Sequence, residues 1–252
     1  MKPAMANDQN PLARLRNMTP ARVALGHAGA GLPTAALLKF QLDYARARDA
    51  VHEALDPQRL AADLAPAQVI RALSLAPDRN TYLRRPDLGR RLAPECADTL
   101  RGGPYDAVFI LADGLSAHAV QVHAAPMLKL ILRELPDWRV APVIIATQAR
   151  VALGDDVGAH LNAALSVVLI GERPGLSAPN SLGAYLTWKP TTGRSDHERN
   201  CISNIRPPQG LAYQEAASRI VWLMRAARRA GFSGVQLKDD SAIVTHASAV
   251  PV

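Results

Sequence analysis

Three short apolar runs, separated by two helix-like stretches, constrain the fold of this chain more than any other feature of its sequence. The runs occupy residues 107–111, 140–146, which Pro142 interrupts, and 166–170, which begins with a serine. Continuous apolar runs of this length are typical of strands that are buried on both faces of a parallel sheet. The stretches between them, about 117–135 and 155–165, have the length of crossover helices. The alternation therefore predicts an α/β protein built on a doubly wound parallel sheet.

The first hundred residues predict helices instead of strands. Apolar side chains from Leu37 to Leu55, spaced three and four positions apart, indicate an amphipathic helix, and Pro57 ends it. Residues 58–76 are expected to form one or two further helices. Another helix is expected to begin at Asp87, because a carboxylate at this position can cap it. No strand is predicted in this region.

These patterns divide the chain into four parts. Residues 1–18 form a short polar lead-in that we expect to be mobile, 19–103 a helical domain, 104–238 the sheet domain, and 239–252 a loose tail. The sheet domain is therefore expected to begin only after the helical domain is complete.

The second half of the sheet domain is less regular. Residues 171–212 are rich in Gly, Pro, Ser and Asn, with short strand-like pieces at 184–188 and 201–205. A long amphipathic stretch, about 213–230, then predicts a final helix.

Composition excludes several classes of protein. Hydrophobic residues make up 48% and charged residues 20%, which excludes a mainly disordered chain. The two cysteines, Cys96 and Cys201, lie far apart, which argues against a disulfide framework and a Cys-rich zinc site and suits a reducing compartment. No apolar stretch approaches the ~20 residues that span a bilayer, and the start of the chain is polar. These features predict a cytoplasmic protein with no membrane partner.

The basic charge of the chain leaves its partner open. There are 29 Lys and Arg against 22 Asp and Glu, giving a net charge of +7. Such a surplus attracts nucleic acid, anionic membranes, phosphate-bearing ligands or an acidic partner. Aromatic residues are only 4% and do not interleave with a basic run, so a nucleic-acid platform is poorly supported. An acidic protein surface or a ligand phosphate remain the two alternatives.

A glycine-rich loop at residues 26–31 has two interpretations. It could cradle a phosphate, or it could be a turn that launches the following helix. No strand pattern precedes it, and no Gly-Lys-Ser or Gly-Lys-Thr follows it, so the turn is favoured. The hypothesis of a stand-alone nucleotide-dependent enzyme is weakened for the same reason, because the GxGxxG motif of such an enzyme would have to follow a strand.

Three polar segments follow the predicted strands, at residues 113–116, 148–151 and 171–175. In open parallel sheets, ligands bind beyond the carboxyl ends of the strands, where these segments should meet. Asp113 could act catalytically there, but an acidic residue at this position also caps the following helix, and capping is the favoured interpretation.

Glu172 lies in a turn that Pro174 and Gly175 hold. It could form a charged pair with its neighbour Arg173. Alternatively, it could face a ligand, because a carboxylate accepts hydrogen bonds from amide groups. Spacing alone does not separate these two hypotheses.

Cys201 is a weak candidate for a nucleophile. It would need a histidine base. His197 is four residues away, but nothing in the sequence places the two face to face. A small buried cysteine is the common case and is the favoured interpretation. The seven histidines show no HxH or HExxH pattern, so no metal site and no catalytic residue are predicted. The residues alone indicate a binding module.

Five segments, in this order along the chain, point to one family: Thr-Pro-Ala-Arg at 19–22 with the glycine-rich loop, Arg-Arg-Pro-Asp-Leu-Gly-Arg-Arg at 84–91, Asp-Gly-Leu-Ser at 113–116, Gly-Glu-Arg-Pro-Gly at 171–175 and Cys-Ile-Ser-Asn-Ile at 201–205. With them the chain resembles the light chain, or small subunit, of ethanolamine ammonia-lyase. Each segment is weak evidence by itself, but five in order across about residues 12–235 are specific.

The resemblance implies a function as well as a fold. The family enzyme uses adenosylcobalamin to convert ethanolamine into acetaldehyde and ammonia, through a deoxyadenosyl radical. A large subunit carries the substrate site, and heavy and light chains assemble into a hetero-oligomer. The non-catalytic light chain covers the cofactor and has a helical amino-terminal part and a Rossmann-like carboxyl-terminal part, which agrees with the pattern of helices followed by alternating strands.

The resemblance also implies three cofactor contacts. They fall on Val151 and Cys201 through backbone carbonyl groups and on Glu172 through its side chain. The absence of a DxHxxG motif implies that the cofactor keeps its own benzimidazole ligand. Many relatives carry a longer amino-terminal extension that directs the enzyme into a bacterial microcompartment. The lead-in here shows no amphipathic stripe, so we expect a free cytoplasmic complex.

Overall fold

The computed structural model describes residues 14–241, except residues 16, 17, 20, 24 and 28. The predictions of a mobile lead-in, of a loose tail and of an amino-terminus without an encapsulation signal concern residues that lie largely outside this part of the chain. The glycine-rich loop is described in part. It leads through Pro33 directly into a helix, as the turn interpretation predicts.

The described part of the chain alternates between helices and strands. The helices are α1 (Thr34–His52), α2 (Pro57–Asp63), α3 (Arg79–Arg84), α4 (Pro94–Ala97), α5 (Ala117–Arg133), α6 (Leu153–His160) and α7 (Tyr213–Ala230). The strands are β1 (Val69–Leu73), β2 (Val108–Ala112), β3 (Val143–Thr147), β4 (Leu165–Gly171), β5 (Leu182–Trp188) and β6 (Arg199–Ile205). Short 3₁₀ helices lie at Leu88–Arg90 and Asp196–Glu198. The predicted strands β2, β3 and β4 and the predicted helices α5, α6 and α7 are confirmed.

The strands form one mixed sheet in the order β1-β3-β2-β4-β5-β6. The first four strands of this order are parallel, whereas β5 and β6 are antiparallel to their neighbours. The prediction of a purely parallel sheet is therefore wrong for β5 and β6. The segment between β4 and β5, residues 172–181, is a loop. A parallel crossover needs about a dozen or more residues, usually including a helix, and this loop is too short to supply them.

The prediction of one or two helices in residues 58–76 is confirmed by α2 and contradicted by strand β1. Val69 pairs with Val143 and Leu73 with Thr147, so β1 runs parallel to β3 at the edge of the sheet. The strand is only partly buried, and its apolar residues form no clear alternation. An edge strand of this kind is stabilised by its pairing with β3 more than by its own pattern. One strand of the sheet therefore precedes residue 104, and the division of the chain at residues 103–104 stays a prediction.

The prediction of a helix that begins at Asp87 is also wrong. A 3₁₀ turn occupies Leu88–Arg90, and a single turn of helix, α4, follows it. Pro94 separates the two because it cannot continue a helix from the preceding turn. The Asp87 carboxylate binds the guanidinium of Arg85, at 2.9 and 2.7 Å, and makes no helix cap.

Two hydrophobic layers enclose the sheet, one on each face. Strands β2 and β4 are buried along their whole length, and their side chains alternate between the layers. Phe109 and Leu169 pack with α5 and α7 on one face, while Ile110 and Val168 pack with α6 on the other. Burying one such side chain contributes about 1.5–3 kcal/mol, which is why these runs determine the centre of the fold.

Candidate functional site

The three polar segments meet at the carboxyl edge of β2, β3 and β4, as predicted. The Asp113 carboxylate accepts hydrogen bonds from the backbone N–H groups of Gln148 and Ala149, at 2.9 and 3.0 Å. The N–H of Leu115 donates to the carbonyl of Gly171, at 2.9 Å. The turns that follow the three strands are therefore bound directly to one another.

Asp113 does not cap the following helix. Ser116 does so, accepting from the N–H of Ala119 at 3.4 Å. Asp113 is instead buried, 3.5 Å from the guanidinium of Arg79. Burial raises the pKa of Asp113, although the two amide donors and Arg79 act in the opposite direction. The predicted helix cap is wrong, and the observed role is to hold the turn after β3 against the end of β2.

Two glycines allow this edge to pack backbone against backbone. Gly114 has a positive φ of 58°, and a Cβ there would stand 2.2 Å from the carbonyl oxygen of Gly171. A Cβ on Gly171 would stand 2.0 Å from the carbonyl oxygen of Ser116. Real Cβ atoms do not approach backbone this closely, so a side chain at either position would push β2 and β4 apart.

Glu172 follows β4 immediately and is half-buried. Its Oε2 accepts hydrogen bonds from the Ser181 hydroxyl, at 2.5 Å, and from the N–H of Asn204, at 3.2 Å. Within the described residues, no hydrogen bond to Oε1 is observed, and no ion pair joins Glu172 to the exposed Arg173. The charged-pair hypothesis is therefore not supported.

The strand below Glu172 leaves room for its carboxylate. A Cβ on Gly183 would stand 2.9 Å from Oε1 of Glu172 and 3.2 Å from Cε2 of Tyr185. The carboxylate therefore lies over β5 at the one position without a side chain. Because alternate residues of a strand share a face, Gly183 and Tyr185 place Glu172 and the tyrosine ring on the same side of the sheet.

Cys201 lies beside Tyr185, its register partner on the neighbouring strand. It is exposed, so the prediction of a buried cysteine is wrong. The physical reason is that β6 is the outer strand of the sheet. Neighbouring atoms nevertheless withhold water from the thiol, and with the charge of Glu172 this raises the pKa of Cys201.

A raised pKa disfavours the thiolate that nucleophilic catalysis requires. His197, the candidate base, lines a cavity of about 310 Å³ with Phe232 and Val235. The groups that influence the pKa of Cys201 are Tyr185 and Glu172. The structure therefore brings Cys201 together with Glu172, and not with a histidine base.

Val151 occupies the turn between β3 and α6 and is half-buried. Its carbonyl accepts a hydrogen bond from the N–H of Gly154, at 3.0 Å. The side chain packs against the hydrophobic layer that α6 covers, and the Tyr185 ring packs against the same layer. Val151, Glu172 and Cys201 therefore lie on one side of the sheet, around its second hydrophobic layer.

A buried ion pair connects the elements that carry two of these residues. Arg199, two positions before Cys201, contacts Asp155 on α6 through two parallel N–H···O bonds of 2.7 and 2.6 Å. Their side chains are 3% and 1% exposed. Burial by itself lowers the pKa of Arg199, but its contacts with Asp155 raise it overall, so the guanidinium stays charged. The pair fixes β6 relative to α6.

The sequence prediction missed this pair. Its only signal was the acidic pair Asp155 and Asp156 at the start of the predicted helix, where acidic residues also favour the helix dipole. Asp156 is buried as well, and accepts hydrogen bonds from the N–H of Leu92 and from the side chains of Arg91 and Thr192, at 3.0, 3.1 and 2.5 Å. Both carboxylates therefore anchor loops around α6.

Fold and site together define the class of protein. It is an α/β chain with a polar, solvent-open face beside the carboxyl edge of its sheet. Among the described residues, no group of three or more His, Cys, Asp or Glu side chains could hold a metal ion. No helix in that part of the chain has the length and hydrophobicity that crossing a membrane requires.

Comparison with known proteins identifies the family. The family model of the ethanolamine ammonia-lyase light chain matches residues 9–238. The chain is 52% identical over 245 residues to the ethanolamine ammonia-lyase small subunit of Azotobacter vinelandii, which covers 93% of this chain and 90% of that protein. It is 53% identical over 239 residues to the small subunit of Xanthomonas campestris, with coverage of 91% and 88%. The chain therefore belongs to the ethanolamine ammonia-lyase light-chain family.

Proposed function

We propose that this chain is the light chain of an adenosylcobalamin-dependent ethanolamine ammonia-lyase in the cytoplasm. It pairs with a large subunit that carries the substrate site, and it helps to bind the cofactor at the interface between them. The match of the family model to residues 9–238 carries the proposal. The position of Val151, Glu172 and Cys201 on one side of the sheet supports the part that concerns the cofactor.

The chemistry of these residues fits a corrinoid cofactor. The rim of a corrin ring carries amide side chains, which donate hydrogen bonds. The Glu172 carboxylate is an acceptor, and Ser181 and Asn204 engage its Oε2 while Oε1 lies over Gly183. A carboxylate fixed in this way offers its remaining oxygen at little cost in side-chain entropy. Backbone carbonyls at Val151 and Cys201 add acceptors whose positions depend on the chain path alone.

This chain supplies binding and shielding in the proposed enzyme, and no catalytic group. When bound, adenosylcobalamin supplies the carbon radical that abstracts hydrogen from ethanolamine. Glu172 would orient the cofactor, and the face of the sheet around Tyr185 would exclude water from it. The raised pKa of Cys201 keeps its thiol protonated, which suits a contact residue better than a reacting one.

The alternative of a stand-alone nucleotide-binding enzyme has no support in the described structure. The glycine-rich loop leads into α1 and does not connect a strand with a helix. A phosphate-binding loop of the dinucleotide type needs that strand to aim its glycines at the ligand.

The test is reconstitution of the enzyme from its two subunits. The chain is purified with its cognate large subunit and adenosylcobalamin, and acetaldehyde formation from ethanolamine is measured against each subunit alone. We expect activity in the mixture only. A chain that formed no complex with the large subunit, or a large subunit that was fully active alone, would contradict the proposal.

A spectroscopic measurement tests the cofactor's axial ligand in the same complex. The benzimidazole of the cofactor should remain on cobalt, because the sequence has no DxHxxG motif to replace it. Electron spin resonance of the cob(II)alamin form should show coupling to a benzimidazole nitrogen. Coupling to a histidine nitrogen would contradict this expectation.

A further inference from the structure

Helix α1 presents its large apolar side chains to solvent. Leu38, Leu42 and Tyr44 are 59%, 50% and 58% exposed, and Leu37 and Phe40 are also exposed. The buried positions of the helix are Asp43 and Ala50. An amphipathic helix that is covered by its own chain shows the opposite arrangement, with its large apolar residues inside.

The helical geometry separates these two groups cleanly. At about 100° per residue, the five exposed apolar side chains span an arc of roughly 200°, and Asp43 and Ala50 lie opposite its centre. Between residues 37 and 45 the arc includes no charged side chain, since Lys39 and Asp43 fall outside it, and the exposed Gln41 is a polar residue near its centre. We call these five residues the outward arc of α1: Leu37, Leu38, Phe40, Leu42 and Tyr44.

Contacts on the inner side hold the helix in this orientation. Asp43 accepts a hydrogen bond from Arg22, at 2.8 Å, whereas its bond with Lys39, at 3.3 Å, lies within α1 itself. Near the end of the helix, Arg79 donates to the carbonyl of Val51, at 2.7 Å. Arg79 also pairs with Asp113 at the carboxyl edge of the sheet. The outward arc therefore faces away from the sheet for a structural reason.

We propose that the outward arc of α1 is the surface by which this chain docks into a groove of the large subunit. The inference rests on the proposed function, which requires such a partner. Contiguous exposed apolar surface on a chain of this kind marks a protein interface. A helix with an arc this wide is buried by a concave surface, as in recognition of a helix by a groove.

The charge and shape of the arc favour the large subunit over a second copy of this chain. Pairing with an identical helix would cover one stripe of about 100°, and would leave half of the arc exposed. Lys39, Arg46 and Arg48 are exposed and lie beside or at the end of the arc. Lys39 is paired with Asp43 and Arg48 with the exposed Asp49, at 3.3 and 3.5 Å, and no ion pair of Arg46 is observed within the described residues. A second copy of this chain would place the same cations opposite these ones, and both chains would carry a net charge of +7. The groove of the partner should accordingly carry a carboxylate where it meets Arg46.

The first experiment measures affinity for the purified cognate large subunit, by titration calorimetry. The Leu38→Gln, Leu42→Gln double variant removes apolar contact without adding charge, and glutamine has a helix propensity close to that of leucine. We expect its Kd to rise by at least about 30-fold. The matched control is Val235→Gln, which changes a side chain that is 71% exposed elsewhere on the chain, and its Kd should stay within about twofold of the parent.

The second measurement is hydrogen–deuterium exchange of the unaltered chain. Addition of the large subunit should slow exchange across residues 34–45. If the complex forms but exchange across residues 34–45 does not change, the docking proposal is wrong. It is also wrong if the double variant binds the large subunit as tightly as the parent chain does. In both cases the proposed function stands, whereas a parent chain that does not bind the large subunit overturns both.

Two other occupants of the arc give distinct results. A dimer of the isolated chain, seen by sedimentation velocity and dissociated by the double variant, would show that a second copy covers it. Protection of residues 34–45 in the isolated chain that disappears on deletion of residues 1–13 would show that the chain's own start covers it. Either result overturns the proposal. We expect a monomer whose exchange in α1 does not depend on residues 1–13.

Discussion

Replacement of Arg199 by methionine tests whether the buried ion pair holds the site together. Arg199→Met keeps much of the side-chain volume but leaves the Asp155 carboxylate, 1% exposed, without its partner. It also removes the donors to the Thr187 hydroxyl and to the carbonyl of Arg194, both at 2.8 Å. Breaking a buried pair on one side costs about 3–5 kcal/mol, since the remaining charge has lost its solvation.

The assay is urea unfolding of the full chain at neutral pH. The free energy of unfolding of Arg199→Met should fall by about 3–5 kcal/mol. Adding Asp155→Asn should restore part of that loss, because it removes the stranded charge. The matched control is Arg219→Met, whose pair with Glu215 is 38% and 51% exposed and should contribute at most about 1 kcal/mol.

Loss of the ion pair should also affect how tightly the assembled complex binds cobalamin. Asp155 is four positions after Val151, and Arg199 is two positions before Cys201. Loss of the ion pair should therefore let the chain segments that carry Val151 and Cys201 move. Cobalamin affinity of the assembled complex should fall for Arg199→Met and not for Arg219→Met. The reasoning fails if Arg199→Met unfolds within about 1 kcal/mol of the parent, or if it cannot be distinguished from the surface control.

Three further predictions concern the site and its supports. Glu172→Ala should weaken cobalamin binding by about tenfold or more, because it removes a charged acceptor. Cys201→Ala should have little effect, because its contact is a backbone carbonyl; equal losses in a cobalamin titration would contradict the assignment. Gly114→Ala should cost about 3 kcal/mol, because it combines a positive φ with a clash against backbone. Gly231→Ala, also at positive φ but with open space around it, should cost only about 1 kcal/mol, and equal thermal shifts would refute the role of the close approach. Burial lowers the pKa of His123, so the unfolded chain binds the extra proton more readily. The contribution of His123 to stability should be complete above about pH 6.5 and should decrease as the pH falls below it, and His123→Gln should flatten that slope in unfolding experiments.

The environment of His123 explains the last prediction. Its Nε2 donates to the carbonyl of Asn180, at 3.0 Å, so its Nδ1 accepts from the Tyr213 hydroxyl, at 2.6 Å. The ring is buried on α5 and connects this helix to α7 and to the loop that follows Glu172. A proton on Nδ1 of His123 would face the O–H group of Tyr213, so two donors would meet until that hydroxyl rotated. Little water is present there to accept either proton.

The local pattern of apolar residues was sufficient to predict the centre of the fold. The apolar runs of β2 and β4 are buried along their whole length, as expected for central strands of a sheet covered on both faces. The same holds for α7, whose apolar face repeats at helical spacing. The meeting of Asp113 with Gln148 also followed from the sequence, because parallel strands end at one edge of their sheet.

The sequence alone thus determined the α/β class, the central strands and the family, since each depends on the order of neighbouring residues. The tertiary structure alone decided that β1 joins the sheet, that β5 and β6 run antiparallel, that Cys201 is exposed, and that Arg199 reaches Asp155. These features depend on contacts between residues far apart in the chain. Edge strands and buried ion pairs are stabilised by such partners, and no short stretch of sequence contains both members of the contact.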